Sequence, residues 1–361
     1  MFGFEPSAEQ KTLVDSVRRF ASRQLRAVAH DADERADLPA ALLDAGAELA
    51  LLPASLPETY GGFGERSAVT GALFAEELAW GDLSVALAML APGLVALPVL
   101  LAGTEDQKRE ILPAYCGERY VPGSAALLEP RYDFDPRALQ ARAVPADGGY
   151  RLRGTKCNVP FAAEAEWMVV YAAAEGATSG FLVRSGTEGL HVGERERNMG
   201  LRALPLYKVE LRDCFVPARQ RLEGTGGLER ILSASRVALG ALAVGQARAA
   251  YDYALEYAKS RVAFGEAIAQ RQAIAFTLAE MATEIEAARL LVWEAAWTLD
   301  EGGDGVREAI LAKTFADDMA LAVTDRAVQI LGGHGYIRDH PVEMWLRNGR
   351  AFAVMEGIAI V

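Results

Sequence analysis

The sequence predicts an α+β fold, with a small β-sandwich or barrel between two helical regions. Three features predict it. Over the first 120 residues apolar side chains return at helical spacing. After Pro122 the period shortens to two, and Gly and Pro punctuate short runs. From Leu228 the helical period comes back. These shifts divide the chain into an N-terminal all-α domain (1–121), a central β domain (122–222) and a C-terminal helical domain (223–361).

The elements follow in order. Pro6-Ser7-Ala8-Glu9 opens a helix, with Ser7 as its cap and Glu9 near the positive end of the helix dipole. Leu13, Val17 and Phe20 then recur at helical spacing. Pro57-Glu-Thr-Tyr-Gly61-Gly62 is a turn cluster, and apolar residues resume at Leu73, Phe74 and Leu78. Residues 83–103 form an uncharged stretch of 21, long enough to cross a bilayer. Pro92-Gly93 should break it near the middle and Pro98 again, so the expectation is short buried helices and no membrane span. In the β region Asp147-Gly148-Gly149 signals a turn before the alternating Tyr150-Arg-Leu152-Arg-Gly154. Trp167-Met-Val-Val-Tyr171, Phe181-Leu-Val183, Leu190-His-Val192 and Tyr207-Lys-Val209-Glu-Leu211 read as further strands. Leu278, Met281, Ile285, Ala288 and Val292 form one apolar stripe of a long helix, with Glu280, Thr283 and Glu284 off it.

Composition narrows the function. A chain of 361 residues that is 51% hydrophobic and 24% charged is neither disordered nor collagen-like nor disulfide-stapled. Its net charge of −12 lacks the basic footprint of a nucleic-acid binder. Cys116, Cys157 and Cys214 are odd in number and form no CxxC pair, so neither a zinc site nor a disulfide framework is indicated, and the cytoplasm is expected. The N-terminus lacks a basic segment followed by an apolar run, so no signal peptide is expected. GxxxxGKS/T, HExxH and GxSxG are absent, and Gly332-Gly-His-Gly335 lacks the spacing of a dinucleotide fingerprint. His334 and His340 stand close in sequence with no carboxylate or thiol cluster beside them, and read as loop histidines rather than metal ligands.

Several segments, in order along nearly the whole chain, resemble one family, the flavin-dependent acyl-CoA dehydrogenases. Leu56-Pro-Glu-Thr-Tyr-Gly-Gly-Phe-Gly64 resembles the family's PEEYGGxG turn. Ala75-Glu-Glu-Leu-Ala79 resembles EELA, and Gly103-Thr-Glu-Asp-Gln-Lys108 resembles GTEEQK. Arg261-Val-Ala-Phe-Gly265 with Gln272 resembles RxxFG…Q. Val328-Gln-Ile-Leu-Gly-Gly-His-Gly-Tyr336 resembles QxxGGxGY. His340-Pro-Val-Glu343 with Arg347 resembles YPVExxxRD, and Met355-Glu356-Gly357 falls where the family has YEGT.

The resemblance implies an N-terminal helical domain, a middle β domain and a C-terminal four-helix bundle. It also implies FAD, an acyl-CoA substrate, an electron-transferring flavoprotein as electron acceptor and a homotetramer built as a dimer of dimers. The reaction removes a proton beside a thioester carbonyl while a hydride leaves the next carbon. Its base must be a carboxylate with a raised pKa, which burial without a charged partner would supply. Glu356 fits, set among Val354, Met355 and Ile358, and Gly357 lets the backbone bend close to a ligand. Arg261 would bring a planar cation to the cofactor's pyrophosphate. Phe264, Arg271 and Gln272 fall where the family packs FAD, and Gln329, Gly332 and Gly333 form a loop that would approach it. Arg236, Phe134, Met355 and Gly357 fall where substrate binds.

The middle region departs from the family. TEPxxGSD is replaced by Leu128-Glu-Pro130-Arg-Tyr-Asp-Phe134-Asp135. Leu128 stands for a threonine near the flavin, and Phe134 for a serine near substrate. In Lys156-Cys-Asn158-Val-Pro160-Phe161, Asn158 replaces an aromatic beside the flavin. Pro160 replaces a hydroxyl residue and has no N–H to offer. Ile358 stands where the family has threonine, and Val361 falls short of the helix that usually follows. These departures keep two alternatives open: a half-competent partner subunit in a heteromer with a homologue, and another flavoenzyme, such as an oxidase, on the same scaffold.

Overall fold

The computed structural model describes residues 5–223 and 227–361. The reading of the extreme N-terminus therefore lies partly outside the described residues, and so does the stretch just after the expected boundary at 222/223. Helix α1 (Ala8–Phe20) starts where Ser7 caps it: Gln10 N–H donates to Ser7 Oγ, and Ser7 N–H donates to Gln10 Oε1. The chain continues through a π-type turn, Ala21–Leu25, into α2 (Arg26–Arg35) and then α3 (Ala40–Ala47). Helix α4 (Ala68–Gly81) is apolar nearly all round and forms the buried centre of this domain. Its two charged residues, Glu76 and Glu77, are buried and held by Arg18, Arg248 and Arg289, which ties α4 to three other helices.

The uncharged stretch becomes α5 (Leu83–Leu90) and α6 (Gly93–Ala102), bent by 45° at the expected Pro92-Gly93 break. Pro98 does not break α6, against expectation. Its missing N–H costs one helical bond, but Leu94, Val95, Leu97 and Val99 are buried around it and packing outweighs the loss. No single helix among the described residues is long and apolar enough to cross a membrane. Helix α7 (Glu105–Ile111) follows, with a capping box from Thr104 and Gln107.

The middle domain has strands β1 (Ser124–Ala126), β2 (Arg142–Ala146), β3 (Gly149–Pro160), β4 (Trp167–Ala174), β5 (Ala177–Arg184), β6 (Leu190–Arg195) and β7 (Leu206–Pro217). They form one sheet in the order β1-β4-β2-β3-β7-β6, with β5 also on β4. The sheet wraps its own apolar cluster, including Leu152, Val170, Phe181, Val209 and Cys214. Strands β3 and β7 pair antiparallel, with a register shift between Lys156 and Val159. That bulge sets the conformation of Cys157 and Asn158.

The C-terminal domain contains α8 (Gly227–Ser260), a hairpin of β8 (Val262–Ala263) and β9 (Glu266–Ala267), α9 (Gln272–Asp300), α10 (Val306–Leu331), α11 (Gly333–Tyr336) and α12 (Val342–Gly349). The expected stripe on α9 is buried at all five positions. Helices α8, α9 and α10 are long, whereas the fourth helix, α12, packed against α8 and α10, has only eight residues. Helix α4 lies along α8 and α9 and closes the domain on that side. Residues 358–361 are buried against α4 and α6: a Cβ on Gly71 would lie 2.5 Å from Val361 Cβ, and Gly93 packs on Ile360. Arg66 Nε donates to the Val361 carbonyl at 3.1 Å.

Candidate active site

The expected site residues fall into three groups. The first surrounds Glu356. Its side chain is 14% exposed, and Oε1 accepts a hydrogen bond from Arg236 Nε on α8 at 2.8 Å. Oε2 makes no hydrogen bond among the described residues and lies 4.0 Å from Lys313 Nζ on α10. Lys313 Nζ donates to Asp317 Oδ2 at 2.6 Å and to the Phe352 carbonyl at 3.1 Å. Burial pushes the Asp317 carboxyl up to about 6, with Lys313 opposing the shift and Glu356 adding to it. The structure therefore corrects the expectation that this acid sits without a charged partner. An ionised carboxylate in an apolar segment is stable only when paired, and α8 and α10 bring the cations.

Arg236 is buried, and its Nη1 has no hydrogen-bond partner. Met355 is buried in the core. Gly357 has φ +71°, a conformation that favours glycine, and a Cβ there would also press on the Leu127 side chain, 2.5 Å from Cδ2. Gly357 lines a narrow recess, with room for about one water, together with Leu94 and Pro98 of α6, Tyr171 of β4, Ile231 and Ser235 of α8, and Ile360. Phe134 and Leu128 do not line it.

The second group lies where β1 ends beside β3. The Leu128 carbonyl accepts from Cys157 N–H at 3.1 Å. Buried Lys156 donates to the Leu127 carbonyl and to Glu129 Oε1, both at 3.0 Å. Desolvation lowers Lys156 to about 8, and Glu129 opposes that shift. Asn158 has φ +49°, a conformation asparagine tolerates better than an aromatic residue does. Its N–H donates to the Glu196 carboxylate, and its Oδ1 accepts from Asn198 Nδ2 at 2.8 Å. The Pro160 carbonyl accepts from the Ser124 hydroxyl at 2.7 Å. Leu128, Asn158 and Pro160 thus sit on adjoining segments, while Phe134 lies half-buried in the β1–β2 connection.

The third group is on the C-terminal domain. Arg261, Gly332 and Gly333 line one surface recess with Tyr257 and His334. Gly332 has φ +59°, and no atom lies within 4 Å of where a Cβ would stand on either glycine. Gln329, Arg271 and Gln272 are exposed nearby in sequence, and Arg271 pairs with Glu266 at 2.9 Å. Phe264 is 97% exposed at the tip of the β8–β9 hairpin, with φ +54°. His334 and His340 bond through Nδ1 to the hydroxyls of Tyr257 and Tyr253, at 2.9 and 2.7 Å.

Sequence reasoning missed Lys313 and Asp317. Their i,i+4 spacing reads as a solvated helix pair; the only hint was their place on a face otherwise filled by Ala309, Ala312 and Ala316.

The comparisons agree across the chain. Residues 7–119, 124–214 and 223–359 match the models of the acyl-CoA dehydrogenase N-terminal, middle and C-terminal domains. The chain is 37% identical to cyclohex-1-ene-1-carbonyl-CoA dehydrogenase of Geobacter metallireducens, over 97% of this chain and 94% of that protein. It superposes on butyryl-CoA dehydrogenase of Megasphaera elsdenii with a TM-score of 0.89 at 31% identity, covering 98% of this chain and 95% of that one. It also superposes on the prolyl acyl carrier protein oxidase AnaB, with a TM-score of 0.88 at 26% identity over 97% and 95% of the two chains.

The chain belongs to the acyl-CoA dehydrogenase family, a class of FAD-dependent oxidoreductases that act on acyl-CoA thioesters. The residues present fit the cofactor. An open glycine cradle beside Arg261 offers backbone approach and a planar cation to a diphosphate.

Proposed function

We propose that the chain oxidises an acyl-CoA to its 2,3-enoyl-CoA, with Glu356 as the base. The observation that supports this most directly is the geometry of Glu356. Arg236 holds Oε1 and fixes the carboxylate plane, leaving Oε2 without a hydrogen bond and able to take a proton from carbon. The Glu356 N–H makes no hydrogen bond among the described residues, so it can donate to the thioester oxygen as enolate character develops. Bound FAD supplies the hydride acceptor for the neighbouring carbon. Arg261, Gly332 and Gly333, with Gln329, Phe264, Arg271 and Gln272 around them, bind that cofactor. Leu128, Asn158 and Pro160 flank its ring, and Arg236, Phe134, Met355 and Gly357 shape the substrate side.

Electrons pass on to an electron-transferring flavoprotein. Exposed Phe276 and Leu290 on α9 and Ile310, Leu311 and Phe315 on α10 support a homotetramer joined through the C-terminal domain. Three free cysteines agree with a reducing, cytoplasmic setting.

The test is anaerobic titration of the FAD-loaded protein with a panel of acyl-CoAs, following flavin bleaching. Wild-type protein should bleach. Glu356→Gln should lose the reaction by more than the roughly 10²–10⁴-fold typical of a lost general base, because the hydride step needs the developing enolate. It should retain its FAD. Bleaching of the Gln variant at near wild-type rate would remove Glu356 from this role.

The second-group geometry favours a second reading, since Asn158 is tied to Asn198 and Pro160 has no N–H for the flavin. On that reading the chain is an oxidase, or a subunit completed by a homologue. Stoichiometric peroxide in air would mark the oxidase. FAD retained only after co-expression with a homologue would mark the subunit.

A further inference from the structure

Lys313 Nζ lies 4.0 Å from Glu356 Oε2, the oxygen that takes the proton on the function proposed above. An ammonium carries three N–H donors on a flexible stem. Lys313 directs two of them elsewhere, to Asp317 Oδ2 at 2.6 Å and to the Phe352 carbonyl at 3.1 Å. A shift of about 1 Å would bring Nζ within hydrogen-bond distance of Oε2. Arg236 already occupies Oε1. A second cation in contact would favour the charged carboxylate further and make Glu356 a weaker base.

Asp317 is the ion-pair partner that holds this ammonium where it is. The two residues lie one turn apart on α10, mostly buried. As a helix-stabilising pair they are poorly arranged. Lysine before an acid is the weaker order at this spacing. Asp317 Oδ1 is buried and has no hydrogen-bond partner among the described residues. A buried acceptor left unmet calls for a role beyond packing. The Phe352 carbonyl, four residues before the base, meets the same ammonium from the C-terminal segment. Asp317 and Phe352 together hold Nζ short of Oε2.

We propose that Asp317 is a positioning residue for the base: it restrains Lys313 and so keeps Glu356 Oε2 open to the substrate. The proposal rests on the acyl-CoA reading above, with Glu356 as the base. It accounts for a base that works beside two cations. Arg236 orients the carboxylate through Oε1, and the second cation is claimed by another acid.

The test is a cycle of four FAD-loaded proteins: wild type, Asp317→Asn, Lys313→Met and the double variant. Flavin bleaching is timed at saturating thioester. Asparagine keeps the size of the side chain and removes the charge that restrains the ammonium. Asp317→Asn should bleach at least about tenfold more slowly, because a cation brought into contact makes a carboxylate about ten- to a thousandfold less basic. Adding Lys313→Met should recover most of that loss, since no ammonium is left to close Oε2. FAD content and affinity for the enoyl-CoA product should be alike in Asp317→Asn and wild type, so that the loss falls on the rate alone. Bleaching of Asp317→Asn at the wild-type rate overturns the proposal. A double variant as slow as Asp317→Asn overturns it too, because the pair would then serve the helix. If Asp317→Asn alone does not fold, the other two variants decide. Without Lys313 the aspartate has nothing to restrain, so a large further loss on adding Asp317→Asn to Lys313→Met also overturns the role. If wild-type protein bleaches with no thioester, or Glu356→Gln bleaches as fast as wild type, the acyl-CoA reading itself fails and takes this proposal with it.

Discussion

Arg236 and Glu356 are 120 positions apart and share a hydrogen bond in a half-buried setting. The apolar flanks of Glu356 marked it in the sequence as an unusual acid. Its partners could not be read the same way, because helix faces that converge only in the folded domain supply them. The pair orients the carboxylate: Oε1 is fixed and Oε2 is left open. Removing the guanidinium should let the carboxylate rotate and misplace the accepting oxygen. Arg236→Ala is therefore expected to slow flavin bleaching by about ten- to a hundredfold, the scale of a small misplacement at the reacting atoms. Stopped-flow absorbance under saturating thioester checks this, and a rate within twofold of wild type would sink it. Arg236→Lys should recover only part of the rate, because an ammonium lacks the guanidinium's planar donor geometry.

The long helices and the strands with clean alternation were legible because one face is buried and the other is not. Strands β1 and β2 were not. β1 is three residues long and buried throughout, so it shows no period, and β2 carries Pro145 within five residues. The Asn158 substitution has a local explanation that sequence could not supply: the β3 bulge puts the residue at positive φ, where a tryptophan would be strained. Helix α5 gives a test at this scale. Asp82 caps it, accepting from Val85 N–H at 2.9 Å, and burial raises the carboxyl to about 6. The unfolded chain releases that proton near pH 4. Between about pH 4 and pH 6 the folded state binds more protons, so this group's contribution to stability falls as pH rises through that window. Asparagine keeps the cap and carries no charge. Asp82→Asn should thus gain stability relative to wild type between pH 4 and pH 7, by on the order of 2 kcal/mol. Urea unfolding at the two pH values measures it, and parallel pH dependences in the two proteins would refute it.

Across the whole molecule, the order helices–sheet–helices followed from periodicity alone, and the motifs added the chemistry. What stayed hidden was how the three groups of site residues relate. Within this chain they do not share one pocket: Arg261 and the Gly332-Gly333 cradle line a surface recess that has no residue in common with the one that Gly357 and Ser235 line. Arg261 is exposed and has no acidic partner among the described residues, in a chain of net charge −12 where carboxylates are plentiful. Phe264 stands bare three residues on. On the function proposed above, this unpaired cation and uncovered aromatic beside an open glycine loop meet the cofactor and a second subunit together. Each should then lose strength when the other is absent. A charge-assisted hydrogen bond to a phosphate contributes roughly 1.5–3 kcal/mol, or about ten- to a hundredfold in affinity. Arg261→Ala is expected to lower FAD retention by that factor and to shift the assembly toward smaller species. The flavin-to-protein absorbance ratio after gel filtration reads the first effect, and light scattering on the same fractions reads the second. Added FAD should restore the larger assembly if the cofactor bridges the subunits. Full flavin content together with unchanged mass in the variant would show that Arg261 holds neither.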